Sequence, residues 1–186
     1  MTRIGMLGCG TVGGAVIRLL DAHRADIERR AGGPLEVVRV AVRDASRDRG
    51  IAPSLLTTDP ATVVDDPSVD VVVELMGGVT PARDLVLRAL RNGKPVVTAN
   101  KELLASEGRA VFDAAEAADR DLLFEAAVGG GIPLIRPLKG SLAGEAITRV
   151  LGIVNGTTNY ILTRMTEDGS DLAAALAEAQ RLGYAE

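Results

Sequence analysis

The sequence is poor in aromatic residues, histidine and cysteine. Aromatic side chains make up 2% of its 186 residues, there is no Trp, and His and Cys occur once each. A single cysteine excludes an internal disulfide and favours a reducing compartment such as the cytoplasm. A single histidine, His23, excludes a multi-histidine metal site and makes a Ser-His-Asp relay hard to build. Any proton transfer therefore has to fall to Lys, Asp, Glu or Tyr.

Long apolar runs and excess positive charge are also absent. No apolar run approaches the ~20 residues that a membrane helix requires, and the glycines between Gly8 and Gly14 interrupt the apolar core that a signal peptide would need. The net charge of -4 argues against a nucleic acid as the main partner. We therefore expect a cytoplasmic protein that binds neither membranes nor nucleic acid.

Aliphatic residues in alternating strand and helix patterns dominate what is present. Apolar runs near residues 4–7, 35–42, 69–75, 95–98 and 121–127 alternate with helical segments, which predicts an α/β fold with a doubly wound parallel sheet. The glycine run 129–131 ends this alternation, so we place domains at 1–130 and 131–186. For the second we predict helices at 134–142, 159–166 and 171–182 and a strand at 146–154, an α+β domain that looks cut short.

The first turn carries a glycine motif. Gly8, Gly10 and Gly13 fit G-x-G-x-x-G between the first strand and a helix that we expect to continue to Ile27. In a dinucleotide site the first glycine permits the tight turn, the second lets a pyrophosphate approach the backbone, and the third lets helix pack closely on strand. The alternative is a tight β–α turn that binds nothing.

Charged residues follow the second strand, where such folds meet the adenosine ribose. An acidic residue there selects NAD, whereas an arginine accommodates the 2′-phosphate of NADP. Arg43, Asp44, Arg47 and Arg49 lie together in this stretch. NADP or dual use is favoured, and a solvated loop is the alternative for Arg47 and Arg49.

Three further positions could carry chemistry. Lys101 follows a strand on the rim where ligands bind, and it either serves the substrate or is a surface lysine. Glu125 lies in the predicted strand before the glycines, either on an exposed face or as one ligand of a cation otherwise held by backbone carbonyls. Asn155-Gly156 and the threonines after it form either a simple turn and helix cap or a site for a substrate carboxylate.

Six segments together resemble the homoserine dehydrogenase family: GCGTVGGAV, ELMGG, KPVVTANKELLA, FEAAVGGGIPLI, LGIVNGTTNYILTRM and LGYAE. They cover nearly the whole chain in the family's order, which is far more specific than the glycine motif alone. The resemblance implies a Rossmann-type domain followed by a substrate and dimerisation domain. It also implies an NAD(P)-dependent oxidoreductase of threonine and methionine biosynthesis that interconverts L-aspartate 4-semialdehyde and L-homoserine. Such an enzyme is expected to be a homodimer or a higher homo-oligomer.

The resemblance also implies roles for individual residues. Lys101 matches a catalytic lysine close to nicotinamide and substrate. The implied cofactor-binding positions, with Arg43 from the strand-end argument, are Gly8, Cys9, Gly10, Thr11, Val12, Gly13, Arg43, Gly77, Gly78, Lys101 and Gly183. The implied substrate positions are Gly156, Thr157, Tyr184 and Glu186, the last holding the amino group. The implied ligands of a monovalent cation, commonly sodium, are Glu125, Val128, Gly130 and Ile132.

The chain departs from the family at its end. The family continues past Glu186 with an aspartate-bearing segment, a second lysine regarded as the general acid/base, and the rest of the dimerisation sheet. We therefore expect weakened cofactor binding and almost no turnover from these 186 residues. Two alternatives stay open: another NAD(P)-dependent amino-acid dehydrogenase, which VNGTTNYIL and LGYAE argue against, and a non-catalytic dinucleotide-binding module.

Overall fold

The computed structural model describes residues 1–153 and 155–185. The chain forms two compact units, Met1–Ser141 and Leu142–Glu186. They divide further along the chain than the predicted boundary at 130–131, because residues 134–136 hydrogen-bond to Glu125 and so belong to the first unit. The assignment of functional domains to 1–130 and 131–186 stays a prediction.

The first unit is a six-stranded parallel sheet with helices between its strands. The strands are β1 (Thr2–Leu7), β2 (Leu35–Ala41), β3 (Leu56–Thr57), β4 (Val71–Glu74), β5 (Val96–Thr98) and β6 (Leu122–Leu123). The helices are α1 (Thr11–Ala22), α2 (Arg24–Ala31), α3 (Ala61–Asp65), α4 (Ala82–Arg91), α5 (Lys101–Ala118) and α6 (Ile135–Lys139). The strand order β3-β2-β1-β4-β5-β6 reverses direction beside β1. The predicted doubly wound α/β fold is confirmed.

Apolar residues cover both faces of this sheet. Leu7 packs in one cluster with Val86 of α4 and Leu103 of α5. Its neighbour Met6 points to the opposite face and packs in a second cluster with Val16 of α1. Successive residues of one strand thus serve two cores, which is why the strands read as continuous apolar runs.

Two elements of this unit differ from the prediction. The first helix does not continue to Ile27, since His23 has ψ of 24° and separates α1 from α2. The predicted strand 121–127 shrinks to β6, which pairs only with Val96 and Val97 of β5. Glu125 therefore lies in a short 3₁₀ turn rather than in a strand.

The second unit contains the helices α7 (Gly156–Glu167) and α8 (Leu172–Arg181). Side-chain oxygens of Asn155 and Asp171 accept backbone N–H groups at their first turns, at 2.7 and 2.8 Å, as the sequence predicts. The predicted strand 146–154 is wrong for its described part, residues 146–153. A strand needs a hydrogen-bonding partner, and the described residues of this unit supply none.

Within the residues described, no helix combines the length and the hydropathy needed to cross a membrane.

Candidate active site

The glycine loop between β1 and α1 has one open position and two closed ones. Gly8 has φ of 98°, and a Cβ there would lie 2.7 Å from the carbonyl oxygen of Leu75. A Cβ at Gly13 would lie 2.6 Å from the carbonyl oxygen of Gly8, whereas one at Gly10 would meet no atom within 4 Å. The fold therefore requires Gly8 and Gly13. The space above Gly10 is what a pyrophosphate close to the backbone needs.

The first turn of α1 offers unpartnered donors beside that space. The helix starts at Thr11 without a side-chain cap and without an acidic residue in its first turn. The N–H groups of Thr11, Val12 and Gly13 have no intrahelical acceptor at this end. Such a turn, with the positive end of the helix dipole, suits an anion. Cys9 is buried and lines the loop as a packing residue.

The charged residues after β2 have different surroundings. Arg49 donates from Nε to the carbonyl of Cys9 at 3.2 Å, so it ties this loop to the glycine loop instead of being a solvated charge. Asp44 accepts hydrogen bonds from the hydroxyl and the N–H of Ser46, at 2.6 and 2.9 Å, and these lower its pKa. Arg43 is exposed and has no partner among the described residues.

A buried polar network lies where β4 and β5 end. The Oε2 atom of Glu74 accepts from the Thr98 hydroxyl at 2.6 Å, and its Oε1 atom accepts from the Met76 N–H at 2.8 Å. Asn100 donates from Nδ2 to the Gly78 carbonyl at 2.7 Å and, more weakly, to Oε1 of Glu74 at 3.4 Å. The sequence analysis missed this network. Its only signal is that polar residues end two apolar strands, which meet at one sheet edge.

Gly77, Gly78 and Lys101 border this network. The two glycines have φ of 72° and 71°, and no atom lies within 4 Å of a Cβ at either position. Lys101 begins α5 directly after its cap, Asn100, whose Oδ1 accepts the N–H of Leu103 at 3.0 Å. The Lys101 ammonium is exposed and has no partner in the described part of the chain. The structure thus leaves this cation available to a ligand.

Glu125 caps α6. Its carboxylate accepts the backbone N–H groups of Leu134, Ile135 and Arg136 at 2.7, 3.1 and 2.7 Å. Desolvation, the largest influence, raises its pKa, but the three backbone donors together outweigh it and lower the pKa. Oε1 receives two of these bonds and Oε2 one, so Oε2 keeps an acceptor position.

The turn after Glu125 holds the other predicted cation ligands. The carbonyl oxygens of Val128, Gly130 and Ile132 accept no hydrogen bond from the described residues, whereas that of Gly129 accepts the N–H of Ile132 at 2.8 Å. No cluster of three or more His, Cys, Asp or Glu that could hold a metal occurs among residues 1–153 and 155–185. A cation here would therefore depend on backbone oxygens, the donors that hard cations accept.

In the second unit, three predicted substrate residues come together. The Thr157 hydroxyl donates to the Tyr184 carbonyl, and the rings of Tyr160 and Tyr184 lie 5.0 Å apart. Gly183, at φ of 76°, ends α8 and turns the chain back toward α7. Glu186 lies outside the described residues. A cavity of about 350 Å³ lies beside the start of α7, and its lining residues are Gly156, Asn159, Tyr160, Thr163 and Tyr184.

Comparison with known proteins identifies a family to which this chain is similar. Residues 8–125 match the family model described as "Homoserine dehydrogenase, NAD binding domain", and residues 133–186 match the model "Homoserine dehydrogenase". A curated homoserine dehydrogenase from Corynebacterium glutamicum is 54% identical over 98% of this chain. One from Mycobacterium tuberculosis is 51% identical over 98%. The chain spans 41% and 42% of these relatives' lengths.

Solved structures agree. A homoserine dehydrogenase from Thiobacillus denitrificans superposes with a TM-score of 0.88 at 50% identity, over 100% of this chain and 43% of that one. A hyperthermophilic archaeal homoserine dehydrogenase in complex with NADPH superposes with a TM-score of 0.77 at 28% identity, over 98% of this chain and 61% of that one.

Proposed function

The chain belongs to the homoserine dehydrogenase family, and from that premise we propose that it serves the NAD(P)-dependent interconversion of L-aspartate 4-semialdehyde and L-homoserine. The observation that carries this proposal is the open space at Gly10 beside the unpartnered N–H groups of α1. The dinucleotide, when bound, supplies the hydride that reduces the aldehyde carbon. These 186 residues contribute the cofactor cradle and part of the substrate site.

The proposed cofactor contacts lie at the carboxyl edge of the sheet. The N–H groups of Thr11, Val12 and Gly13 bind the pyrophosphate, and the loop of Cys9 lines it. Gly77 and Gly78 lie along the cofactor, because no side chain or neighbouring atom obstructs them. Gly183, from the second unit, belongs to the same set on the resemblance alone.

Lys101 is the catalytic residue of this proposal. Its ammonium is exposed and has no partner among the described residues, and its backbone begins α5 directly after the cap Asn100. A lysine so placed donates a hydrogen bond to the reacting oxygen of the substrate and moves a proton at that atom. The near absence of histidine agrees with a lysine-based proton transfer.

The substrate is bound by residues of the second unit. The start of α7, with Gly156 and Thr157, takes the carboxylate, since a helix N-terminus favours an anion. Tyr184 closes one side of the adjoining cavity. Glu186 binds the amino group by charge, a role taken from the family resemblance.

A monovalent cation, sodium in the family, belongs to the turn after Glu125. The unused carbonyl oxygens of Val128, Gly130 and Ile132 and the remaining acceptor position on Glu125 are donors that fit it. It would hold this turn in shape. We derive no catalytic step through it.

NADP is the preferred cofactor of this proposal. Arg43 is exposed and unpartnered, so its guanidinium is available to a 2′-phosphate. Asp44 is already engaged by Ser46, which leaves its carboxylate less available to the ribose hydroxyls of NAD.

Assembly and location complete the proposal. The exposed apolar side chains of Val150, Leu151 and Ile153 support a homodimer or a larger homo-oligomer. A cytoplasmic location suits an enzyme of amino-acid biosynthesis whose lone cysteine is buried and unpaired.

The test is NADPH binding by the full chain and its Gly10→Ala variant. A Cβ at Gly10 meets no protein atom within 4 Å, so the new methyl group obstructs the ligand rather than the protein. Gly10 has φ of -86° and ψ of -148°, and this ψ lies outside the main β region, so thermal unfolding of the variant is measured beside its affinity. We expect a loss of about tenfold or more in affinity, measured by NADPH fluorescence. Gly33→Ala, at another unobstructed glycine, is the matched control.

Two results would contradict the proposal. One is a full chain that binds no dinucleotide, and the other is equal NADPH affinity in Gly10→Ala and the unaltered protein. An assay of homoserine-dependent NADP⁺ reduction, with the intact mass checked at 19.3 kDa, tests the expectation that these residues alone turn over almost no substrate.

A further inference from the structure

Glu74 is a charged group whose burial calls for a reason. Among the described residues it is the only buried acidic side chain, with no exposed surface at all. No basic side chain in the described part of the chain forms an ion pair with it. Burying a carboxylate without a cation is costly unless strong hydrogen bonds compensate. An apolar side chain would fill the same volume at a lower cost in free energy. The groups that donate hydrogen bonds to this carboxylate therefore indicate its role.

The carboxylate joins the ends of two neighbouring strands. From β4 itself it reaches forward to the N–H of Met76, at 2.8 Å, which starts the turn to Gly77 and Gly78. From β5 it receives the hydroxyl of Thr98 at 2.6 Å. The same hydroxyl oxygen accepts the N–H of Asn100 at 3.0 Å.

Asn100 extends the network to both proposed ligand contacts. Its Nδ2 group donates to the Gly78 carbonyl at 2.7 Å, and its Oδ1 atom caps α5 at Leu103. Lys101 is the next residue. The glycine turn and the backbone of the proposed catalytic lysine are thus joined twice, directly by the bond from Asn100 to Gly78 and through Glu74, which bonds to Met76 on one side and to Thr98 on the other.

Charge gives Glu74 a second effect. An ammonium at a helix N-terminus is disfavoured by the helix dipole, and Lys101 is the first residue of α5. A carboxylate bonded through Thr98 and Asn100 to the same helix start opposes that effect. Neither Thr98 nor Asn100 supplies a charge, so within this network the contribution comes from Glu74, and Glu102 in the first turn of α5 adds a second, exposed carboxylate.

We propose that Glu74 is a positioning residue for the nicotinamide end of the site, acting through Asn100 and Thr98 on Lys101 and the Gly77–Gly78 turn. The inference rests on the proposed function, since it takes Lys101 and the two glycines as ligand contacts. It assigns Glu74 no contact with substrate or cofactor.

Glu74→Gln in the full chain is the test. Glutamine keeps the shape, accepts from Met76 with its carbonyl, and offers its amide to a rotated Thr98 hydroxyl, so the fold is preserved while the charge is lost. We measure affinity for NADPH and for 2′-phospho-ADP-ribose, which lacks the nicotinamide. NADPH affinity should fall about tenfold, the effect of one charge-assisted hydrogen bond, and affinity for the fragment should not change.

Thr98 supplies the second pair of variants. Thr98→Ser keeps the hydroxyl and should bind both ligands as the unaltered chain does, whereas Thr98→Val should repeat the selective loss. Glu107→Gln removes a partly exposed carboxylate that pairs with Arg83 at 3.0 Å and controls for loss of charge. If Glu74→Gln fails to fold, the Thr98 pair decides the question.

The outcomes separate the two proposals. Equal losses for NADPH and the fragment would show a purely structural role and overturn this inference alone, as would unchanged affinity for both. An unaltered chain that binds neither ligand would overturn the proposed function and this inference with it.

Discussion

The two ends of the parallel sheet each bury one charged side chain, and they use it differently. At the amino end, Lys94 is 5% exposed and its ammonium donates to the carbonyls of Asp66 and Val69. At the carboxyl end, Glu74 is fully buried and accepts hydrogen bonds from the N–H of Met76, in the glycine turn, and from the hydroxyl of Thr98, at the end of β5. Lys94 joins the segment before β5 to the segment before β4. Glu74 instead lies beneath the Gly77–Gly78 turn and the start of α5, where the Lys101 ammonium has no partner among the described residues.

The two ends of the sheet also differ in their free polar groups. A cavity of about 590 Å³ at the amino end is lined by Asp65, Asp70 and Lys94, among others. Its carboxylates are engaged, since Asp65 accepts from Arg88 at 2.5 Å and Asp70 accepts the N–H of Arg3 at 2.7 Å. At the carboxyl end, by contrast, the first N–H groups of α1 and the Lys101 ammonium have no partner within residues 1–153 and 155–185. A ligand site is recognised by what the protein leaves unsatisfied.

The comparison predicts that Lys94 serves stability alone. Lys94→Met leaves the buried Val69 carbonyl without its donor, while the Asp66 carbonyl keeps the N–H of Val69, and this should cost about 1–3 kcal/mol. Burial already lowers the pKa of this ammonium, an effect that the nearby Asp66, Asp65 and Asp70 oppose. Urea unfolding measures the loss of stability.

NADPH affinity of folded Lys94→Met should match that of the unaltered chain. Arg91→Met, which removes an exposed cation from the same end, is the control and should leave both properties unchanged. Reduced affinity in Lys94→Met would contradict the separation of the two ends.

At the carboxyl end, alanine should have opposite effects on stability at two neighbouring glycines, Gly13 and Gly14. Gly13→Ala places a methyl group 2.6 Å from the Gly8 carbonyl oxygen, so the backbone has to shift, at a cost of about 1–3 kcal/mol. Gly14→Ala, one residue on, meets only the end of the Arg18 side chain and should stabilise α1 by about 0.5–1 kcal/mol. Thermal unfolding of both variants tests this, and equal stabilities would contradict the assignment.

Arg43 is the exposed cation that we expect to bind the 2′-phosphate of NADPH. Arg43→Ala should weaken NADPH binding about tenfold, because one charge-assisted contact to the 2′-phosphate is lost, and should leave NADH binding unchanged. Fluorescence titration with both nucleotides measures the ratio. Arg18→Ala, on the outside of α1, controls for loss of charge. A parallel loss for NADH would mean that Arg43 does not read the 2′-phosphate.

The smallest effect concerns Glu125 and pH. Because the fold lowers its pKa, the carboxylate's contribution to stability is fully present above the unfolded value of 4.5 and is lost as pH falls through the lower folded value. The stability difference between the unaltered chain and Glu125→Gln should therefore shrink below pH 4.5. Thermal unfolding at pH 7 and at acid pH checks this, with the exposed Glu102→Gln as control. A difference that grows with acid would contradict it.

Elements whose signals are local could be predicted from the sequence. The glycine spacing, the strands β1, β2, β4 and β5 and the caps Asn100, Asn155 and Asp171 all depend on signals within a few residues, and each lies where the prediction put it. Elements that need a distant partner could not. The strand predicted through Glu125 stops at Leu123, the last residue that pairs with β5, and the described residues of 146–153 form no strand.

By itself, the sequence determined the alternation of strands and helices, the glycine loop and the family. Local sterics, backbone capping and apolar periodicity are properties of neighbouring residues, so they can be read from the printed chain. Only the tertiary structure decided which polar groups are free. Arg49 donates to the carbonyl of Cys9, 40 residues away, whereas Arg43 has no acceptor among the described residues. Glu74 accepts a hydrogen bond from the Thr98 hydroxyl, 24 residues away. Satisfaction of a polar group depends on its surroundings in space, which no spacing along the chain encodes.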